Sequence, residues 1–299
     1  MIDTQHETIY WLGLRLEVPC DWQIVRHGLS PERGRLTFTD RFAERLDLTW
    51  RKVDHDPNVE LMVRDQRMRD EHKLSDVQTA NVRIAGWYAY RLQSNSETLV
   101  RAARYDSAAG RMLEALLVIE PKRGRSTKVT EQLLNAVRCV PTEDARQRLR
   151  AFDIDLRLPE TLRLCRATVE PANVVFEFEA TDTHPDRARL RASAVVRRMG
   201  MANAWYRGHG LSLIERESPR ISFGTTSPVV VNDHAATYAE GNASRARLMR
   251  WLGRGLRRRA LLWHCEAENA VYHVATTSFD RAPLHPNVLH LMCCKGAPQ

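Results

Sequence analysis

The sequence predicts an α+β fold made of two tandem modules, each a twisted antiparallel sheet flanked by helices. At 299 residues the chain exceeds the usual size of one domain, so two domains are expected. A strand pattern that ends at Pro19 returns at Pro159, 140 positions later. Many segments alternate apolar and polar residues, as strands with one solvent-facing side do. We therefore place the modules at 1–143 and 144–299.

The first module is predicted to begin with a strand that stops at a proline. Leu12, Leu14, Leu16 and Val18 alternate with polar residues or glycine before Pro19, which cannot donate to a ladder. Apolar residues at helical spacing predict two helices, at 58–73 and 128–140. Further strands are predicted at 22–26, 34–40, 45–53, 82–92, 99–105 and 111–119.

The second module repeats this order with weaker signals. A strand at 152–158 again stops at a proline, and helices are predicted at 202–214 and 287–294. Gly208 and Gly210 weaken the first of these helices. The polar segment 141–150 is interpreted as the linker. Further strands are predicted at 174–179, 190–197, 235–240, 245–251, 256–266 and 270–276.

Two segments of the first module carry a family resemblance. They are Leu14-Arg-Leu-Glu-Val-Pro-Cys-Asp-Trp22 near the start and Glu131-Gln-Leu-Leu-Asn-Ala-Val-Arg138 at the end. Both are similar to the PsbP-like fold group, of the photosystem II PsbP and Ran-binding Mog protein type. In the second module Leu162 replaces Trp22. Proteins of this group look like binding modules, and some bacterial relatives chaperone secretion-system effectors, so the resemblance implies adaptor or chaperone work by a tandem duplication.

Composition and cysteine usage narrow the class of protein. The longest apolar run, 115–119, is far shorter than a membrane span, and the first residues lack a signal-peptide pattern. Six cysteines in 299 residues are too few for a disulfide scaffold, and none forms a CxxC pair. We expect reduced thiols and a cytoplasmic protein.

The basic residues are mostly arginine, with 40 Arg against 5 Lys and a net charge of +8. A mutational bias toward arginine codons explains this ratio as readily as selection for phosphate binding does. Segment 245–259 packs seven arginines around one tryptophan, which suits phosphate contacts and base stacking, although a solvated hairpin has the same composition. The candidate polyanion or partner contacts are Arg245, Arg247, Arg250, Trp251, Arg254, Arg257, Arg258 and Arg259.

Motifs for catalysis, cofactors and metals are not found in the sequence. There is no GxSxG elbow, no GxGxxG and no GxxxxGK[ST]. Metal-ligand residue types occur near the end of the chain, without the short paired spacings of zinc sites. We therefore predict no catalytic, cofactor or metal residues. The ligand types are His264, Cys265, Glu266, His273, Cys293 and Cys294.

These observations favour a non-catalytic, protein-binding adaptor or chaperone-like protein. A duplicated module creates a cleft between related walls, and we expect another protein to bind there. The alternative is binding of nucleic acid or another polyanion through the arginine-rich hairpin 245–259, without any cofactor.

Overall fold

The structure, a computed structural model, describes residues 5–74, 77–94, 97–119, 127–141, 146–180, 192–242, 256–279 and 284–294. The chain divides into two compact units, Met1–Pro141 and Thr142–Gln299, called unit 1 and unit 2. No helix within these ranges has both the length and the apolar character to cross a lipid bilayer.

The described part of unit 1 contains two antiparallel sheets and two helices. One sheet has the order β3-β4-β5-β9-β8-β7-β6, and a smaller one the order β10-β2-β1. Helix α1 spans Val59–Lys73 and α2 spans Thr127–Ala136. The strands are β1 His6–Trp11, β2 Leu14–Pro19, β3 Gln23–His27, β4 Arg33–Thr39, β5 Glu44–Lys52, β6 Gln78–Ile84, β7 Trp87–Gln93, β8 Thr98–Asp106, β9 Arg111–Ile119 and β10 Arg138–Cys139.

The two faces of the large sheet in unit 1 carry different helices. Because side chains alternate along β7, Trp87 and Tyr90 point to opposite faces. The Trp87 indole donates to the main-chain oxygen of Leu134 in α2, at 3.1 Å. The Tyr90 hydroxyl donates to Asp70 in α1, at 2.6 Å. Helix α2 therefore covers one face of the sheet, and α1 packs on the other, over β6, β7 and β8.

Unit 2 has the same strand order. Its large sheet runs β13-β14-β15-β19-β18-β17-β16, and its small sheet runs β11-β12-β20. Helices α3 and α4 span Ala202–Trp205 and Gly210–Glu217, and a 3₁₀ helix spans Pro286–Val288. The strands are β11 Arg146–Ala151, β12 Ile154–Pro159, β13 Leu162–Glu170, β14 Asn173–Ala180, β15 Ser193–Gly200, β16 Ser222–Val231, β17 His234–Asn242, β18 Leu256–Cys265, β19 Ala270–Phe279 and β20 His290–Met292.

The predicted α+β class, with helices flanking each sheet, is wrong. Strands hold 59% and helices 16% of the described residues, so the protein is mostly antiparallel sheet with few helices. Helix α1 lies where 58–73 predicted it, with the Asn58 side chain accepting from the Leu61 amide at 3.0 Å as an N-cap. Strands that the sequence did not predict include β20 in the closing segment of unit 2 and strands that adjoin two-residue hairpin turns.

The sequence pattern overpredicts helix in unit 2. Segment 202–214 is interrupted between Trp205 and Gly210, where Gly208 adopts a φ of 82°, and forms two short helices instead. Segment 287–294 is a 3₁₀ helix followed by β20, which pairs with β12. Helix propensity in segment 287–294 is outweighed by strand pairing, because one edge of β12 would have unpaired backbone N–H and C=O groups without β20.

Two-residue turns explain strands that the sequence pattern misses. Leu12-Gly13 joins β1 to β2, Phe152-Asp153 joins β11 to β12, and Asn232-Asp233 joins β16 to β17. All six residues have positive φ, as type I′ hairpin turns require. Leu-Gly and Phe-Asp lack the usual Asn-Gly signature, so the pattern merges β1 with β2 and assigns β11 to the linker.

Candidate functional site

Helix α1 is attached to its sheet through a buried carboxylate. Besides Val59, the only fully buried residue of this polar helix is Asp70. Asp70 accepts from the Tyr90 hydroxyl at 2.6 Å and from Gln66 Nε2 at 3.0 Å, and Arg101 Nε lies 3.0 Å from its Oδ2. Burial and the neighbouring carboxylate raise the pKa of Tyr90, which keeps its hydroxyl protonated as a donor. Arg67 adds a second polar attachment, because it donates to Thr79 of β6 at 3.0 Å and to Asn81 of β6 at 2.7 Å.

A groove opens between α1 and strands β5, β7, β8 and β9. It encloses about 570 Å³, within the range of roughly 300–1,000 Å³ typical of ligand pockets. Its apolar floor is formed by Met62, Val63, Ala103 and Met112. Its rim carries three acids and three arginines: Asp47, Asp65, Glu114, Arg51, Arg69 and Arg101. We call this feature the α1 groove.

The rim of the α1 groove is accessible and holds both signs of charge. Arg51 Nη2 and Glu114 Oε1 lie 3.6 Å apart on neighbouring strands, with the two side chains 51% and 50% exposed. Arg69 donates Nε to the main-chain oxygen of Asp65 at 3.3 Å. These contacts are solvated, so the side chains can exchange partners at little cost.

The corresponding face of unit 2 is filled by apolar side chains. Leu213 and Ile214 of α4 are buried against Ala239, Ala260 and Leu262 in one core cluster. Helix α4 contacts β16, β17 and β18. Helix α4 is therefore held to its sheet by apolar packing.

A buried polar group lies beside that core cluster. His273 of β19 is 2% exposed and lies opposite Arg197 of β15. Burial first, then Arg258 and Arg197, lowers the pKa of His273 to about 3. Arg197 pairs with Glu217 of α4. The imidazole is therefore held neutral between two arginines.

A thiol–imidazole cluster occupies one end of the unit 2 sheet. The ligand atoms of His234, Cys265, Cys293 and Cys294 all lie within 4.8 Å of one another. His234 Nε2 is 3.1 Å from Cys294 Sγ, which is 3.2 Å from Cys265 Sγ. The hydrogen bond with Cys265, then burial, raises the pKa of Cys294 to about 12, and burial raises the pKa of Cys293. We call these four residues the thiol–imidazole cluster.

Strand register explains why these four residues meet. Ala236 of β17 pairs with Trp263 of β18, so two positions further on His234 faces Cys265 on the same side of the sheet. Strand β20 then carries Cys293 and Cys294 to the same end. Spacing along the chain could not show this, because the ligands come from β17, from β18 and from the two residues that follow β20. The sequence predicted no metal residue here and gave no signal for His234.

The other ligand-type residues singled out from the sequence do not join this cluster. His264 packs near Tyr206, with ring centroids 5.4 Å apart, on the helix-bearing face. Cys265 points to the opposite face, as its position one residue further along the strand requires. His273 lies on the same face as Leu262, its partner in β18.

Three of the predicted polyanion contacts are described, and they differ in exposure. Arg257 is exposed and donates to Glu240 at 2.7 Å, while Arg259 is buried and donates to Ser278 at 3.2 Å. Arg258 is partly buried and donates to Thr277 at 3.3 Å. The other predicted contacts lie outside the described residues: Arg245, Arg247, Arg250, Trp251 and Arg254.

Fold and sites together define a two-unit antiparallel β protein with a groove in one unit and a thiol–imidazole cluster in the other. No protein-family model and no curated protein matches the sequence. Solved structures are similar at low identity. The T6SS immunity protein TplEi from Pseudomonas aeruginosa, complexed with an "L" peptide, is 10% identical over 93% of this chain and 88% of that one, at a TM-score of 0.36.

Two further structures show the same level of similarity. The Tle4-Tli4 complex matches at 11% identity over 96% of this chain and 92% of that one, with a TM-score of 0.37. PsbP (CyanoP) from Synechocystis matches at 16% identity over 46% of this chain and 94% of that one, with a TM-score of 0.30. The resemblance to the PsbP-like group thus stands as a weak fold relation.

Proposed function

We propose that this chain is a non-catalytic, protein-binding protein and that the α1 groove is its contact surface for a polypeptide. The observation that carries the proposal is the composition of the groove, an adaptable apolar floor inside a rim of balanced charge. The cleft between modules expected from the sequence stays a prediction, as does polyanion binding through 245–259.

The floor of the groove suits an apolar side chain from a partner. Met62 and Val63 are partly buried on α1, and they face Met112 and Ala103 on the sheet. Methionine side chains have flexible torsions and a polarizable sulfur, so they repack around differently shaped apolar groups. An aliphatic or aromatic anchor of a partner would gain most of its binding energy here by leaving water.

The rim suits flanking charges of both signs. Three acidic and three arginine side chains surround the opening, whereas a phosphate backbone is bound by a surplus of cations. The rim therefore favours a peptide with both acidic and basic residues beside its anchor, through complementary pairs that orient it.

Selection of peptides from a displayed random library against the purified full chain tests this proposal. We expect enrichment of peptides with one apolar anchor between charged residues. Arg51→Glu should weaken their binding about 3- to 10-fold, since a rim charge contributes about 1 kcal/mol. The matched control is Arg26→Glu, at a similarly exposed pair with Glu44 that lies outside the groove.

Methionine methyl spectra locate the bound peptide. In protein carrying ¹³C-labelled methionine methyls, a selected peptide should shift the Met62 and Met112 signals, while Met68, 50% exposed on α1 and absent from the groove lining, should stay in place. Equal loss of affinity in Arg51→Glu and Arg26→Glu, or shifts confined to Met68, would contradict the proposal.

A further inference from the structure

The thiol–imidazole cluster has the dimensions of a tetrahedral metal site. Zinc–sulfur bonds of about 2.3 Å and zinc–nitrogen bonds of about 2.0–2.1 Å place neighbouring ligand atoms roughly 3.5–3.8 Å apart. The four ligand atoms of the cluster lie within 4.8 Å of one another, with the closest pairs at 3.1 and 3.2 Å. Small side-chain shifts, each on the order of 1 Å or less, would bring the set to the geometry of a bound ion.

The donors also have the right chemical character. Three thiols and one imidazole form a soft sulfur–nitrogen set, which selects zinc over the oxygen-seeking Mg²⁺ and Ca²⁺. Cys265 is fully buried, and His234, Cys293 and Cys294 are partly buried, so an ion there would be largely shielded from water. Four protein ligands leave no open position, which is the arrangement of a structural rather than a catalytic zinc.

Neighbouring contacts hold the ligands in place. The side-chain amide of Asn232, in the turn before His234, donates to the main-chain oxygen of Leu291 at 2.6 Å and lies 3.8 Å from Cys293 Sγ. This amide ties the β16–β17 turn to β20, next to both cysteines. It stands where an outer-shell donor to a metal thiolate would stand.

Unit 1 shows that the fold itself does not require these residues. Hairpin β8–β9 ends with the pair Asp106–Arg111 and hairpin β18–β19 with Cys265–Ala270, so Asp106 holds the position of Cys265. The positions that correspond to His234, Cys293 and Cys294 by strand pairing are Ala85, Cys139 and Val140, with Ala85 in the turn of the shorter β6–β7 hairpin. Unit 1 thus forms the same strand pairings with one cysteine and no histidine at these positions.

We propose that His234, Cys265, Cys293 and Cys294 bind one Zn²⁺ ion in a closed tetrahedral site that clamps β20 to the sheet of unit 2. Binding exchanges three thiol protons for the ion, and the protons pass to solvent. The clamp compensates for the small amount of regular structure in the described closing segment of unit 2. Unit 1 closes with the ten-residue α2, which buries Leu133 and Leu134, whereas the described closing segment of unit 2 has only a 3₁₀ helix and the three residues of β20.

Metal titration of the reduced full-length chain tests the site with Zn²⁺ and Co²⁺ as probes. We expect one equivalent of Zn²⁺ per chain, and a Co²⁺ spectrum with thiolate charge-transfer bands and the strong ligand-field bands of tetrahedral cobalt. Cys294→Ser and His234→Gln should each lower the affinity by at least about 100-fold, because even outer-shell changes cost 10- to 100-fold. Cys165→Ser, at an exposed thiol outside the cluster, should leave it unchanged.

The clamp has its own readout in hydrogen exchange. Chelation of the ion should speed amide exchange in segment 284–294, while α2 and β10 in unit 1 serve as an internal reference that does not change. His234→Gln is the safer variant for folding, because His234 is only partly buried and the substitution retains a polar side chain.

Three results would overturn the proposal. The first is the lack of stoichiometric Zn²⁺ binding by the reduced chain. The second is equal affinity in Cys294→Ser and Cys165→Ser. The third is a Cys265–Cys294 disulfide in protein purified without reductant, combined with no gain of Zn²⁺ affinity on reduction; the cluster would then be a thiol pair rather than a metal site.

Discussion

The two units share one strand order, but the sheet face that packs against α1 in unit 1 carries different side chains from the face that packs against α4 in unit 2. In unit 1 a polar helix is fixed through Asp70 and leaves a groove lined by methionine and charged residues. In unit 2 the shorter α4 buries Leu213 and Ile214 in a continuous apolar core. Strand pairing therefore fixes where a helix packs, while side-chain volume and polarity decide whether a binding groove remains beside it.

The segments that close each unit also differ, with apolar packing in unit 1 and the proposed metal ligands in unit 2. Unit 1 ends with an amphipathic helix whose buried leucines hold it in place, and the counterpart of the thiol–imidazole cluster there is built from Ala85, Asp106, Cys139 and Val140. The described closing segment of unit 2 has only a 3₁₀ helix and β20, and the complete set of proposed zinc ligands lies at its end. One scaffold thus accommodates two ways to secure the last strand, by apolar packing or by a proposed metal ion.

The largest expected effect is on Zn²⁺ stoichiometry, when a second copy of the thiol–imidazole cluster is built into unit 1. The combined substitutions Ala85→His, Asp106→Cys and Val140→Cys should place the same four ligand types around the existing Cys139. If strand register alone positions the ligands, Zn²⁺ binding should rise from one to two equivalents per chain, measured by titration in reductant. The control omits Val140→Cys and should bind the second equivalent far more weakly. A stoichiometry that stays at one in the full set would break the correspondence between the units.

Removal of the Asp70 carboxylate should destabilise unit 1. Asp70→Ala leaves Tyr90 and Gln66 without their acceptor, at a cost of about 2–3 kcal/mol in the free energy of unfolding. This loss is near the lower end of the range for breaking a buried ion pair, because the Arg101 side chain is 39% exposed and water can solvate it after the carboxylate is removed. Denaturant unfolding measures the loss. Asp65→Ala on the same helix is the control, and a comparable loss there would show that the carboxylate does not anchor α1.

The buried imidazole should make unit 2 sensitive to mild acid. The folded-state pKa of His273, about 3, lies below its ordinary value of 6.5. Unfolded chains therefore bind the proton first, and stability should fall as the pH drops below about 6.5, by up to about 1.4 kcal/mol per pH unit. Burial, followed by the positive charges of Arg258 and Arg197, lowers this pKa.

Unfolding at pH 7.5 and pH 5.0 measures this dependence. His273→Leu should flatten the pH dependence of unit 2 and leave that of unit 1 unchanged. An unchanged slope in His273→Leu would assign the acid sensitivity to another group.

The smallest expected effect is on the stability of the groove rim. Arg51→Glu should change the free energy of unfolding by less than about 0.5 kcal/mol, because the pair with Glu114 is half-exposed on both sides. The double swap Arg51→Glu with Glu114→Arg restores opposite charges and should recover part of any lost peptide affinity. A large stability loss in either variant would mean that the rim supports the sheet rather than a partner.

Parts of this architecture could be predicted from local patterns. Alternation located the strand ending at Pro19 and its counterpart at Pro159, and helical spacing of apolar residues located α1. The pattern failed where tertiary context decides, at β11 and at the closing segment of unit 2. Strand β11 pairs with β12 across a turn of Phe152 and Asp153, and this dipeptide lacks the usual sequence signature of a hairpin turn.

Neither candidate site could be located from spacing. The α1 groove joins residues of one helix to four strands, and its size depends on how far α1 stands from the sheet. The density of arginines favoured 245–259 as a binding segment. Among its described arginines, however, Arg259 is buried and only Arg257 is exposed. Composition counts charges but carries no information on which face of a strand they occupy.

By itself the sequence determined the local features of this protein, since the period of two that marks a strand and the cap that starts α1 depend only on neighbours along the chain. Tertiary structure alone decided which distant residues meet. His234, Cys265 and Cys294 converge because β17 pairs with β18 in one register and β20 joins β12 at the same end. A shift of one residue would turn these side chains to opposite faces, and no local pattern records that choice.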